Sequence, residues 1–184
     1  MIKMKPILGH ALCVTLLLFS SWALSATCPE ILQGKQRLLN STDEVDLCEE
    51  FKGKTLLVVN TASQCGFTPQ LEQLETLHQT YKDNNFSVIG FPSNDFRQDR
   101  GSEENTAKVC YLDYGVTFPM MARTSVLGEN ANPLFSAISE QAGIAPKWNF
   151  YKFLIDKNGK VVATFPSSTS PMSTTLTSII EQQL

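Results

Sequence analysis

The chain has 184 residues, 42% of them hydrophobic and 18% charged, which is enough apolar material for one domain with its own core and excludes a fibre, a repeat array or a disordered tail. Fifteen basic residues against 18 acidic ones give a net charge of −3, so no positive field gathers phosphates and no nucleic-acid partner is expected.

At the N-terminus, Lys3 and Lys5 precede an apolar run that ends in small residues at Ala23, Ser25 and Ala26. This is the pattern of a secretory signal, residues 1–26, removed on export. The run from Ala11 to Leu24 falls short of the roughly 20 residues that span a bilayer, so no stable membrane anchor is expected. Thr27 stands before Cys28 where a lipoprotein signal would carry Gly or Ala, which argues against lipidation. Cleavage removes two lysines and no acid, taking the net charge from −3 to −5, and the expected location is the periplasm. Cys13 leaves with the signal; Cys28, Cys48, Cys65 and Cys110 remain where disulfides persist, with three pairings open. There is no C-x-x-C, and His78 is the only histidine outside the signal, so no metal site and no cofactor are expected.

Residues Thr27–Lys54 read as an extension ahead of the first strong strand. Thr55–Asn60, T-L-L-V-V-N, is a short apolar run of the kind buried on both sheet faces. From Pro69, Leu71, Leu74, Leu77 and Tyr81 recur at helical spacing, with Thr68 a candidate N-cap. Phe86–Phe91 is a second buried strand, stopped by Pro92 and followed by a polar loop, Ser93–Ser102. Ser102-Glu103-Glu104 opens a helix to about Tyr114, and Pro133–Gln141 is another. Phe150–Ile155 and Val161–Phe165 form a hairpin around Asn158-Gly159, and a last helix covers Ser173–Gln183. This order gives an α/β thioredoxin-like fold, a central mixed sheet flanked by helices.

Chemistry concentrates at Cys65, in the loop between the first strand and the following helix. Free N–H groups and the helix dipole there favour a thiolate, although a buried inert thiol has the same sequence signature. His78 lies on the helix without a second ligand and is given no catalytic role.

Three blocks, N-T-A-S-Q-C-G-F-T at Asn60–Thr68, F-P-S-N-D-F at Phe91–Phe96 and K-W-N-F-Y-K-F-L-I-D-K-N-G at Lys147–Gly159, resemble the signatures of the glutathione peroxidase family. The resemblance extends over nearly all of Lys35–Leu184. It implies a peroxidase in which Cys65 attacks hydrogen peroxide or an organic or lipid hydroperoxide, with Gln98, Trp148 and Asn149 as the other active-site positions. All three carry N–H donors suited to holding a thiolate and the departing oxygen. Gln98 is aligned through its acidic neighbour and x-G-S, in a loop one residue shorter than the family pattern; Asp95, where the family has Gln, is expected to face away.

Cys110 stands where thioredoxin-dependent members carry a resolving cysteine; the alternatives are a buried helical thiol or a partner for Cys28 or Cys48. The resolving role implies a Cys65 sulfenic acid captured by Cys110 after the Cys110 helix opens, then reduction by a thioredoxin-like dithiol protein. Cys28 and Cys48, outside the signature blocks, then form a structural bridge. The short segment from Leu127 to Trp148 resembles the monomeric, thioredoxin-dependent branch. The competing readings are a one-cysteine enzyme that uses glutathione, a thioredoxin-type oxidoreductase, for which the second cysteine of C-x-x-C is missing, and a non-enzymatic binding module.

Overall fold

The computed structural model describes Met1 and residues 27–184; residues 2–26, where an export signal is expected, lie outside the described residues. The segment expected to be an extension is built into the fold. It forms an antiparallel hairpin, β1 (Lys35–Arg37) and β2 (Glu44–Asp46), and a short helix, α1 (Leu47–Phe51). Asp46 caps α1 by accepting from the Cys48 and Glu49 N–H groups, which turns Leu47 and Phe51 into the core. Leu39 N–H donates to Met120 O at 2.9 Å, tying the hairpin to the body of the protein. Three-residue strands are too short for an alternation of side chains to register in the sequence.

The main sheet has the order β4-β3-β5-β6, with β3 at Thr55–Thr61, β4 at Phe86–Pro92, β5 at Lys152–Ile155 and β6 at Val161–Phe165. β3 and β4 are parallel, joined through α2 (Gln70–Tyr81), whereas β5 runs antiparallel to both β3 and β6. Every residue of β3 and β4 is buried, as their unbroken apolar runs require. Alternation along β3 divides the core in two. Leu57 and Val59 pack with Leu71, Leu74 and Leu77 of α2 and with Leu176 and Ile180 of α5 (Thr174–Glu181). Leu56 and Val58 face Leu47 and Phe51 of α1 and Leu134, Phe135 and Ile138 of α4 (Pro133–Ala142). Residues 119–121 run alongside β4, with hydrogen bonds from Gly90 N–H to Pro119 O and from Met121 N–H to Gly90 O. The approach is so close that any β-carbon at Gly90 would collide with the Met120 sulfur.

Two elements differ from their sequence expectation. The helix opened by Ser102, whose hydroxyl accepts from Asn105 N–H, is α-helical only over α3 (Glu103–Ala107). It then widens into a π-helical turn, Lys108–Asp113, closed by Tyr114 N–H to Val109 O at 3.1 Å. In the hairpin, the first strand starts at Lys152 because Phe150 takes a left-handed conformation, φ +62°, that no strand accommodates.

Candidate active site

The parallel pair brings the C-terminal ends of β3 and β4 to one edge of the sheet, and antiparallel pairing brings the start of β5 to the same edge, with Val59 opposite Lys152. The loops after β3 and β4 and the turn before β5 therefore meet there. These carry Cys65, Gln98 and the Trp148-Asn149 pair.

Cys65 is a free thiol in the turn leading into α2. Its Sγ accepts from Phe67 N–H at 3.4 Å, a backbone donor of the kind expected at a helix start. Thr68 does not cap α2. Its hydroxyl donates to Ala62 O at 2.9 Å and accepts from Cys65 N–H at 3.0 Å, so it ties the cysteine loop into a closed turn, while Pro69 occupies the cap position. Cys65 lines an open cleft with Ser63, Gly66 and Pro69 on one side and Val109, Asp113 and Tyr114 of the π-helical region on the other.

The shortened loop does bring Gln98 to the site. Arg97, in the left-handed region at φ +59°, closes a turn back onto Asn94 O, and Gln98 O then accepts from Gln64 N–H at 2.9 Å. The Gln98 side chain accepts from Asn149 Nδ2 at 3.0 Å. Asn149 is fully buried, and its Oδ1 is an acceptor with no partner among the described residues. Trp148 is 41% exposed and stacks at a tilt on Phe96, ring centroids 5.4 Å apart. Gln98, Trp148 and Asn149 thus share one corner beside the cysteine loop, but the Sγ itself is held by the Phe67 N–H and by none of the three. Asp95 faces away, accepting from Ser125 Oγ and from the Val126 and Leu127 N–H groups.

Two residues that sequence reasoning missed hold this corner together. Asp99 is fully buried; its carboxylate accepts from Ser63 N–H at 2.8 Å, from the Thr106 hydroxyl, and from Arg123 Nε at 2.7 Å. It fastens the Gln98 loop to the cysteine loop and to α3. Asn60, also fully buried, donates from Nδ2 to Trp148 O, accepts Tyr151 N–H at Oδ1 and accepts Phe150 N–H at its backbone carbonyl. Asn60 opens the first signature block, where a polar residue at the end of an apolar strand was the available signal, and Asp99 is the acidic neighbour through which Gln98 was aligned.

Cys110 is buried in the π-helical turn, also as a free thiol. Burial, aided by the charge of Asp99, pushes its pKa up to about 12, so at rest it is a protonated, unreactive thiol. Cys28 and Cys48 are disulfide-bonded, with Cα atoms 5.8 Å apart. His78 packs between α2 and β4: its Nδ1 accepts from Val88 N–H, and its ring sits edge-on to Phe118.

Burial alone pushes Lys152 down to about 7. Its ordinary value lies near 10.5, so between pH 7 and 10.5 the unfolded chain binds the extra proton and stability rises with pH. The raised Cys110 has the opposite sign, its contribution being present below pH 9 and lost above it; the lowered His78 acts only below pH 6.5. The window from pH 7 to 9 therefore isolates Lys152. Urea denaturation is expected to give about 2 kcal/mol more stability at pH 9 than at pH 7, a gain that Lys152→Met removes. Equal stabilities of the wild type at the two pH values would contradict this.

A family model described as glutathione peroxidase matches residues 36–139. The glutathione peroxidase-like peroxiredoxin HYR1 of Saccharomyces cerevisiae is 47% identical over 142 residues, 74% of this chain and 86% of the relative. A solved structure of T. cruzi GPX1 superposes with a TM-score of 0.63 at 30% identity, covering 83% of this chain and 93% of that one. A thioredoxin family thiol:disulfide interchange protein from Chlorobium tepidum superposes equally well, TM-score 0.63, at 17% identity, over 86% of this chain and 97% of its own. At that identity the likeness is one of fold, and the fold is thioredoxin-like.

Proposed function

The chain belongs to the glutathione peroxidase family, and from that premise we propose that it reduces hydrogen peroxide and organic or lipid hydroperoxides through a two-cysteine cycle at Cys65 and Cys110. It is a thiol peroxidase by family. The observation that carries the cysteine assignment is that the two cysteines free among the described residues, Cys65 and Cys110, flank one open cleft, Cys65 lining it directly and Cys110 lying in the π-helical turn that forms its far wall.

In the first step the Cys65 thiolate attacks one peroxide oxygen. The S–O bond forms as the O–O bond breaks, and the other oxygen leaves as alkoxide or hydroxide and takes a proton to become alcohol or water. The N–H groups of Gln98, Trp148 and Asn149 are the donors at hand for that departing oxygen, and Asn149 Oδ1, without a partner among the described residues, is an acceptor for the hydroperoxide O–H. In the second step the Cys110 sulfur displaces the sulfenic oxygen as water and forms the Cys65–Cys110 disulfide. A dithiol protein of thioredoxin type then reduces that disulfide by exchange, restoring both thiols and leaving its own disulfide.

Resolution requires Cys110 to leave its buried position. The π-helical turn is suited to this: Leu112 is 77% exposed, and the turn's outer face is pinned by a single exposed ion pair, Lys108 to Asp113 at 2.7 Å. Opening also removes the burial that keeps the thiol protonated. The Cys28–Cys48 bridge serves a structural role, tying the segment before β1 to α1, away from the cleft. The exported location, after removal of residues 1–26, is the periplasm, where that bridge persists. No membrane anchor or nucleic-acid contact is part of this reading, and the enzyme acts as a monomer.

Peptide mass mapping after one equivalent of peroxide tests the cycle. The expected product is a Cys65–Cys110 linkage beside an unchanged Cys28–Cys48 bridge. Cys110→Ser is expected to consume one equivalent of peroxide at the wild-type rate and then stall with a dithiol reductant, its Cys65 a sulfenic acid. Sustained dithiol turnover by Cys110→Ser would establish a one-cysteine cycle instead, with glutathione the natural candidate reductant.

A further inference from the structure

One buried charged side chain takes no part in the cycle described above. Among the described residues Lys152 is the lysine with no exposed surface, and it lies directly beneath the turn that carries Trp148 and Asn149. Its cross-strand partners are Val59 and Phe165, both apolar. No carboxylate pairs with it; its Nζ donates to Phe150 O at 2.8 Å. A methionine would fill the same space without the penalty of desolvating an amine, so what the amine contributes is its hydrogen bond.

The carbonyl it holds belongs to Phe150, one of the site's two left-handed non-glycine residues, the other being Arg97. Phe150 is an L-residue at φ +62°, an unfavourable conformation that persists only where its surroundings over-determine it. Asn60 fixes three polar backbone groups of this turn, Trp148 O, Phe150 N–H and Tyr151 N–H. Lys152 fixes a fourth, Phe150 O. Without that bond the Phe150 carbonyl is buried and unpartnered, and the peptide between Phe150 and Tyr151, held only at its N–H end by Asn60, rotates more readily. Such a rotation moves the residues before it, and Asn149, whose amide meets Gln98, is the nearest of them.

We propose that Lys152 is a positioning residue for peroxide reduction: by donating to the Phe150 carbonyl it locks the left-handed turn that presents Trp148 and Asn149 to the Cys65 loop. The inference rests on the reading of Cys65 as the thiol that attacks peroxide. It acts through geometry and requires no contact between Lys152 and substrate.

The test follows two rates at Cys65 by peptide mass, oxidation by equimolar hydrogen peroxide and alkylation by iodoacetamide, in wild type, Lys152→Met and Lys152→Gln. Alkylation needs only an accessible thiolate, whereas oxidation also needs the placed donors. Lys152→Met is expected to keep the wild-type alkylation rate and to be oxidised about tenfold more slowly, since a displacement of about 1 Å in a reacting site is enough for such a loss. Lys152→Gln, which retains an N–H donor on a shorter chain, is expected to fall between the two. Undiminished oxidation in Lys152→Met, or both rates falling together, overturns the proposal; the second outcome reports a loosened fold instead of a displaced turn. Should Lys152→Met not fold, Lys152→Gln decides on the same criteria. A wild-type Cys65 inert to peroxide would overturn the reading of the cysteine as well, which separates that failure from a failure confined to Lys152.

Discussion

Replacing Cys65 with serine is expected to abolish peroxide turnover, by about a thousandfold or more, while leaving the fold intact. The hydroxyl fills nearly the same volume in the turn before α2 and still accepts the Phe67 N–H that the sulfur accepts now. The Thr68 hydroxyl continues to close the loop through Ala62 O and the residue 65 N–H. What is lost is the nucleophile. A serine hydroxyl is not ionised near neutral pH, and removing the reacting group of a covalent mechanism removes most of the catalysis. Stopped-flow peroxide consumption with excess reductant measures this, and circular dichroism verifies the fold. Turnover that survives in Cys65→Ser would move the chemistry to another residue and dismantle the cycle proposed above.

Asp99→Asn is expected to lose about 3 kcal/mol of stability and to slow peroxide reduction as well. The carboxylate is fully buried and is held by Ser63 N–H, Thr106 and Arg123. The amide is isosteric, but it sets an N–H donor against Arg123 Nε where an oxygen stood 2.7 Å away, leaving the guanidinium without its carboxylate and with only neutral acceptors, Gly101 O and Thr106 Oγ1. Breaking one partner of a buried pair costs about 3–5 kcal/mol, and the Arg123 side chain, 27% exposed, recovers some of this from water, which favours the lower end. The Asp99 loop also sets Gln98 against Gln64 and Asn149, so the same substitution displaces a donor of the site. Urea denaturation with parallel peroxide rates checks both effects. An additional Arg123→Leu is expected to restore part of the stability and none of the rate, because it removes the unpaired cation without re-anchoring the loop. An unchanged urea midpoint in Asp99→Asn would mean that the pair is not a fastener. With the charge gone Cys110 also loses the smaller of the two causes of its raised pKa, while burial, the larger, stays.

The reaction therefore depends on residues of two kinds. In the cycle proposed above Cys65 and Cys110 do the covalent work, whereas Asp99, Asn60 and Lys152 are proposed to set where the donors stand. The second set is fully buried and polar or charged, which a domain of this size tolerates only where each group finds partners. At the sheet edge those partners are backbone groups of loops that carry chemistry. Stability and activity are consequently coupled at this corner of the molecule more than elsewhere in the core.

By itself the sequence determined the parts governed by local pattern. The continuous apolar runs of β3 and β4 could only be strands buried on both faces, the leucines after Pro69 could only line one side of a helix, and Asn158-Gly159 marked the hairpin. The three signature blocks, with Cys65 between strand and helix, pointed to the family. The tertiary structure alone decided the rest, because each remaining feature depends on what lies opposite in space. The π-helical turn around Cys110 has no signature in a single segment. The small hairpin before α1 exists because residues 120 and 121 are there to bond it. Lys152 reads as an ordinary strand lysine, and Asp99 as a loop acid, until the carbonyl of Phe150 and the guanidinium of Arg123 are seen to face them. Burial of a polar group is a property of the whole packed chain, since its favourable partners come from residues distant in sequence, and for that reason it is legible only after folding.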